Sequence, residues 1–340
     1  MVLDGAAAAS ISECAAALQA GELVAIPTET VYGLAADAGN DSAVARIFAA
    51  KGRPSDHPLI VHVDDTDGGT PGMDFFATGV PPYARALARR FWPGPLTLIL
   101  PRRPEVGRAA AGGQDSVGVR CPAHPVAQAL LHACRALGVM GLAAPSANQF
   151  GRVSPTTAAH VQGEFGAALR ILDGGACGVG IESTIIDCTR GAPVLLRPGA
   201  ITADQVQAAC GVAVLSPEEA QTLADAPRAS GTLEAHYAPR ARVRLMDARA
   251  LQTALDVLGA EIREPGPVIA TYARTVLRSP SSAVVRRRMP DDAASTGQQL
   301  FAVLREFDDQ GVRLIWVETP PDTPEWAGVR DRLQRASAAQ

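Results

Sequence analysis

Of the 31 basic residues in the chain, 30 are arginine, and the single lysine is Lys51, in the run Lys51-Gly52-Arg53-Pro54-Ser55-Asp56-His57-Pro58. An ammonium is a compact point charge and a guanidinium a wide planar fork, so the two are not interchangeable at a crowded anion site. Cations ending a helix are also a routine dipole match, and this run gains meaning only from its companions. In Ile26-Pro27-Thr28-Glu29-Thr30-Val31-Tyr32-Gly33-Leu34 an apolar strand meets a proline, then hydroxyls, a carboxylate and a phenol. Ser116-Val117-Gly118-Val119-Arg120 closes an apolar strand on an arginine. Ala144-Pro145-Ser146-Ala147-Asn148, followed by Ser154-Pro155-Thr156, ends another strand in small hydroxyl and amide groups. Ile181-Glu182-Ser183-Thr184 and Leu196-Arg197-Pro198-Gly199 complete the set. In open α/β sheets ligands sit at strand ends. One lysine, three arginines and several hydroxyls placed there suit a polyanionic phosphate ligand together with a small carboxylate.

Other signatures are missing. The lysine is not preceded by a GxxxxGK[ST] loop, and no GxSxG elbow occurs. Gly175-Ala176-Cys177-Gly178-Val179-Gly180 runs GxxGxG, which reads as a turn and not as a dinucleotide fingerprint. His57 and His62 have no third ligand nearby, so no zinc site is expected there.

The elements that must carry these residues alternate in the α/β manner. Strands are expected at 23–26, 59–63, 96–100, 117–120, 139–144, 170–172, 183–188 and 194–197, and helices at 11–19, 42–50, 82–91, 125–137, 157–165 and 203–209. From about 211 to 240 the text turns Ser/Pro/Glu/Ala/Gly-rich and reads as a linker. Beyond it strands at 243–246, 268–272 and 314–317 with helices at 249–258 and 297–308 predict a second, smaller α/β domain. A length of 340 residues with 47% hydrophobic and 19% charged side chains agrees with two folded domains. The longest apolar stretch, Ala136 to Pro145, is about half of a membrane span, and no basic n-region precedes the N-terminal alanines. Six cysteines form no CxxC pair, so they read as small core residues in a reduced, cytoplasmic setting.

In this order, PTETVYGL, KGRPSDHPLIVHV, WPGPLTLIL, SVGVRCPAHP, APSANQFGRVSPT, ESTIID and VLLRPG resemble the YrdC-like family of threonylcarbamoyl-AMP synthases. The likeness runs from about Gly21 to Gly199, and His236-Tyr237-Ala238-Pro239 with the α/β domain beyond it resembles the family's long form. The resemblance implies a YrdC-like twisted open mixed sheet with flanking helices over 1–212, a linker or lid over 213–241, and a Rossmann-like α/β domain over 242–340. It implies synthesis of threonylcarbamoyl-adenylate and pyrophosphate from L-threonine, bicarbonate and ATP with Mg²⁺, the product passing to a separate transferase that modifies tRNA. By the same resemblance Thr30, His62, Arg120, the backbone at Ala144 and Ser183 form the threonine site, with Arg120 clamping the substrate carboxylate. Lys51, Arg53, His57, Ser116, Ser146, Asn148, Ser154, Arg197 and Tyr237 surround ATP, with Lys51 and Arg53 stabilising charge in the reaction. His57 stands where the family pattern leads one to expect asparagine. The linker is expected to close over the pocket, with Tyr237 reaching the nucleotide.

Three other readings compete. Carbamoyl-adenylate chemistry on another substrate, as in hydrogenase-maturation relatives, would come with acylphosphatase and zinc-finger segments that this chain lacks. A non-catalytic RNA-binding or ribosome-maturation module would call for a basic face, and a partner-docking role for the C-terminal half would need its large aromatics at an interface, whereas Trp316 and Trp326 read as core. The net charge is −4 and the balance is even along the chain, with Arg286-Arg287-Arg288 the only dense basic run, so strong direct nucleic-acid binding is not expected.

Overall fold

The computed structural model describes all residues except 67–68, 223–225, 233–235, 259–267, 276, 280, 282 and 340, and it omits the side chains of 222 and 258. The chain divides into two compact units: Met1–Phe150 with Ser154–Thr232, and Gly151–Val153 with Leu233–Gln340. The segment read as a linker is therefore shared between the two. Among the described residues no helix is long and apolar enough to cross a membrane.

The first unit is built on a mixed sheet of ten strands: β1 (Val2–Asp4), β2 (Val24–Ile26), β3 (Gly33–Asp37), β4 (Ile60–His62), β5 (Leu96–Pro101), β6 (Ser116–Arg120), β7 (Leu142–Ala143), β8 (Arg170–Asp173), β9 (Thr184–Asp187) and β10 (Val194–Arg197). Their order is β1-β8-β2-β3-β7-β4-β6-β5-β9-β10. β4 lies parallel to β6, with His62 beside Arg120, and β5 lies parallel to β9. Helices α1 (Ala8–Gln19) and α5 (Pro125–Ala136) bring Cys14, Leu18, Leu130 and Cys134 onto Val24, Ile26 and Leu142. α2 (Asp41–Lys51) and α4 (Pro82–Phe91) belong with the larger cluster, which includes Val44, Ile47 and Leu87. Five of the cysteines are buried in these cores, and burial lifts the Cys134 thiol to about 12, so they act as small apolar residues.

Most expected elements appear within a residue or two, and the exceptions have local causes. The strand expected over 139–144 shrinks to β7, because Val139 still donates to the Cys134 carbonyl at the helix exit and Ala144 leads into Pro145. β1, β3 and α3 (Pro71–Phe76) were not foreseen. β3 is Gly-Leu-Ala-Ala-Asp, a composition poor in β-branched residues that earns its place by pairing with β2 and β7. The unit is completed by α6 (Ala158–Phe165) and α7 (Ala203–Cys210).

The second unit has a wholly parallel sheet in the order β11-β14-β12-β13, from β11 (Arg242–Met246), β12 (Ile269–Ala273), β13 (Val284–Arg288) and β14 (Leu314–Glu318). Helices α8 (Ala248–Leu258), α9 (Ala293–Asp309) and α10 (Ala327–Ala338) accompany it, giving the expected Rossmann-like arrangement. β13 and α10 were not foreseen; β13 is the arginine run itself.

Candidate active site

The polar strand ends of the first unit converge in three groups. In the first, the end of β6 carries Arg120, only 3% exposed. Its Nη1 donates to Thr30 Oγ1 at 2.8 Å, its Nε to the Gly94 carbonyl at 3.2 Å, and its Nη2 lies 2.6 Å from Glu29 Oε1. That last contact is an ion pair without hydrogen-bond angles: neither Glu29 oxygen has a hydrogen-bond partner. Thr28 Oγ1 shares a hydrogen bond with Thr30 Oγ1 at 2.8 Å, which fixes the Thr-Glu-Thr turn. His62, buried at the end of β4, is pulled down to about 3 by burial and by Arg120, and its imidazole is neutral.

The second group joins β9, β10 and β5. Arg197 Nε and Nη2 donate to the Ser183 carbonyl at 3.0 and 2.9 Å, and Nη2 also donates to Ser183 Oγ at 3.1 Å. Ser183 Oγ shares a 2.8 Å hydrogen bond with Thr97 Oγ1. Nη1 of Arg197 donates to the Ser230 carbonyl at 2.8 Å, so this part of the 213–241 segment is tied to this group. Arg228 strengthens the tie, its N–H donating to Gln114 Oε1 at 2.7 Å and its guanidinium to Asp56 at 2.9 Å. Ser116, Thr97 and Ser230 line one small cavity beneath this segment.

The third group begins at the last residue of α2. Asn40 caps that helix by accepting from the Ala43 N–H, and Gly52, at φ +62°, ends it. The geometry buries Lys51, whose Nζ donates to the Ser146 carbonyl at 2.6 Å and to the Asn148 carbonyl. An ammonium has three donors, and two of them hold this loop. Burial first, and then Arg53, pull Lys51 down to about 7. The Arg53 guanidinium stands 5.7 Å from the centre of the Phe150 ring and donates to the Pro58 carbonyl at 3.1 Å. His57 meets the same ring edge-on at 5.6 Å, and burial and Arg53 lower its pKa. Ser154 donates to the buried carboxylate of Glu182.

The structure thus gathers Thr30, His62, Arg120, Ser183 and Arg197 at neighbouring strand ends, and Lys51, Arg53, His57, Ser146 and Asn148 around one loop. Ala144 contributes backbone: its N–H donates to the Ile60 carbonyl at 3.0 Å. Tyr237 belongs to the second unit, where its ring stacks on Phe301 at 5.4 Å with the Arg332 guanidinium 5.4 Å away. Its backbone is left-handed at φ +60°, a conformation that a bulky residue keeps only where its surroundings impose it. Glu29, Thr97 and Glu182 were not among the expected site residues. A carboxylate inside an otherwise apolar or hydroxyl-bearing strand end was the available signal for both acids.

Gly199 sets how closely these loops approach. A Cβ there would lie 2.5 Å from the Thr184 nitrogen and 2.9 Å from the Glu182 carbonyl oxygen, both backbone atoms. Gly199→Ala is expected to cost ~1–3 kcal/mol of stability, read as a lowered melting temperature. An unchanged melting temperature would show that the 182–184 backbone yields freely.

Residues 16–199 match the Sua5/YciO/YrdC family, described as "Telomere recombination", and residues 201–338 match the "Threonylcarbamoyl-AMP synthase, C-terminal domain". The chain is 39% identical over 324 residues to the threonylcarbamoyl-AMP synthase of Pyrococcus abyssi, covering 94% of this chain and 92% of that one. It is 37% identical over 334 residues to the enzyme of the same name from Bacillus subtilis, covering 97% and 93%. Among solved structures it is similar to P. abyssi Sua5 complexed with L-threonine, with a TM-score of 0.83, 36% identity and coverage of 97% and 94%.

Proposed function

The chain belongs to the Sua5/YciO/YrdC family and carries the C-terminal domain of threonylcarbamoyl-AMP synthases, and we propose that it makes L-threonylcarbamoyladenylate and pyrophosphate from L-threonine, bicarbonate and ATP. The observation that best supports this reading is Arg120 held between Thr30 and Glu29 at one strand end, with Lys51 and Arg53 at the C-terminal end of α2. One group suits a small zwitterion and the other a phosphate chain.

In this reading Arg120 takes the carboxylate of threonine and Glu29 its ammonium, so the internal pair is exchanged for two pairs with substrate. The amine, once neutral, takes up bicarbonate with loss of water to give a carbamate. A carbamate oxygen attacks the α-phosphorus and pyrophosphate leaves. Lys51, Arg53 and Arg197 offset the developing negative charge, and the protein forms no covalent intermediate. His62, neutral, can accept or donate one hydrogen bond without adding charge. His57, Ser116, Ser146, Asn148 and Ser154 line the nucleotide. ATP enters as its Mg²⁺ complex, the ion counted as part of the substrate. The segment anchored by Arg197 and Arg228 covers the pocket. The product goes, in the cytoplasm, to a separate transferase acting on tRNA.

The test is incubation with radiolabelled threonine, bicarbonate, ATP and Mg²⁺. The expected products are a labelled adenylate and pyrophosphate in equal amounts, and absence of both overturns the reading.

A second measurement follows from Lys51. The unfolded chain keeps the ordinary lysine value of 10.5, against about 7 in the folded protein. Between these limits only the unfolded state holds the proton, so Lys51's contribution to stability rises with pH from 7 to 10.5 and is lost as pH falls through that window. A bound phosphate favours the ammonium and reverses the shift. ATP binding at about pH 8 is therefore expected to take up a proton, visible as a binding heat that depends on the buffer's ionisation enthalpy. A buffer-independent heat would mean that Lys51 does not meet the phosphates.

A further inference from the structure

In the second unit, Arg286, Arg287 and Arg288 form the C-terminal half of β13. β13 runs parallel to β12 with Thr271 opposite Arg286 and Ala273 opposite Arg288. Strand alternation puts Val284, Arg286 and Arg288 on the same face as Ile269, Thr271 and Ala273. At the N-terminal end that face is apolar, where Ile269 and Val284 pack with Leu251, Leu255 and Trp316. Toward the C-terminal ends it changes character. Thr271, Thr275, Leu277 and the arginines there line a cavity of about 260 Å³. α8 packs on β11 and β14.

The charges differ in how they are met. Arg287 also borders the cavity, but its guanidinium is taken by Glu306 of α9 at 2.6 Å. Arg288 is paired with Asp291 at 2.9 Å. Glu318, the nearest buried acid, is committed to Arg274, to the Thr275 N–H and to the Thr275 hydroxyl at 3.0, 2.7 and 3.2 Å. Among the described residues Arg286 has no carboxylate partner. Edge strands do carry charges that discourage edge-to-edge pairing. That accounts for a charge, but not for the cavity or for the buried Thr271 hydroxyl beside it. The C-terminal ends of parallel strands are where ligands of open α/β sheets bind.

We propose that this groove binds a small phosphoanion, with Arg286 giving the forked contact and Thr271 a hydroxyl hydrogen bond. The cavity lies just below the ~300–1,000 Å³ of usual small-molecule pockets, which suits a phosphate, a pyrophosphate or a mononucleotide and not a nucleic-acid strand.

The test uses the full chain labelled with ¹⁵N-arginine. The Arg286 Nε–Hε resonance is identified by its loss in Arg286→Lys and followed while inorganic phosphate, pyrophosphate or AMP is added at physiological salt. This signal is local, so phosphate binding elsewhere in the chain and the fate of the proposed synthase activity do not enter. A saturating shift with at least one of the three, half-complete below about 1 mM, is expected. The nearly isosteric Thr271→Val should weaken it about tenfold, the cost of one lost hydrogen bond to a charged group, at unchanged melting temperature. A shift that grows linearly without saturating overturns the proposal. So does one indifferent to Thr271→Val, or one elicited only by a single-stranded RNA oligomer.

Discussion

Arg120→Ala is expected to raise the threonine requirement about 30- to 4,000-fold while leaving ATP affinity nearly unchanged, since breaking one side of a buried charge pair costs ~2–5 kcal/mol. The expectation rests on Arg120 being 3% exposed and on its guanidinium reaching Thr30 at 2.8 Å and Glu29 at 2.6 Å. Removing Arg120 alone also strands the Glu29 carboxylate in a buried site, so the melting temperature should fall as well. A double variant separates the two effects. Arg120→Ala combined with Glu29→Ala should recover the melting temperature but not threonine use. If the double variant regains threonine affinity, Arg120 serves only to neutralise Glu29 and the substrate carboxylate binds elsewhere. If Arg120→Ala weakens ATP and spares threonine, the two sub-sites are exchanged.

Lys51→Ala should lower the rate about 10²-fold or more, the range seen when a charge stabiliser is removed. Two roles coincide at this residue. Lys51 is 2% exposed and its Nζ holds the carbonyls of Ser146 and Asn148, so its loss also frees the loop that carries them. Lys51→Arg should fail nearly as badly, because a planar fork does not fit where a point charge is enclosed between two carbonyls. Comparing kcat with KM separates the roles: a loosened loop raises KM for ATP, whereas lost charge stabilisation lowers kcat. Full activity of the arginine variant would return Lys51 to an ordinary structural lysine.

What could be read from the chain follows what local sequence encodes. Long apolar periodicities such as Pro82–Phe91 and strand runs such as Leu96–Pro101 declare themselves. β3 does not, because Gly33–Asp37 owes its extended form to neighbours on both sides, which a window along the chain does not contain. The candidate site divides in the same way. Polar residues interrupting apolar strand ends marked Thr30, Arg120, Ser183 and Arg197. Their pairing did not show, since Arg120 meets Glu29 and Thr30 across some 90 positions. Lys51 stood out by type alone, but its carbonyl partners, 95 and 97 residues away, required the fold.

The three residues Gly151–Val153 sit with the second unit although the chain on both sides of them belongs to the first. Ala238 donates to the Gly151 carbonyl, and Arg305 to that of Val153. The chain therefore passes between the units at three points, not one. A single cleavage after Thr232 does not yield two whole pieces: the C-terminal fragment lacks acceptors that two of its own residues use. Dissection of this protein into separately expressed halves calls for supplying the Gly151–Val153 stretch to the second half, for instance by circular permutation.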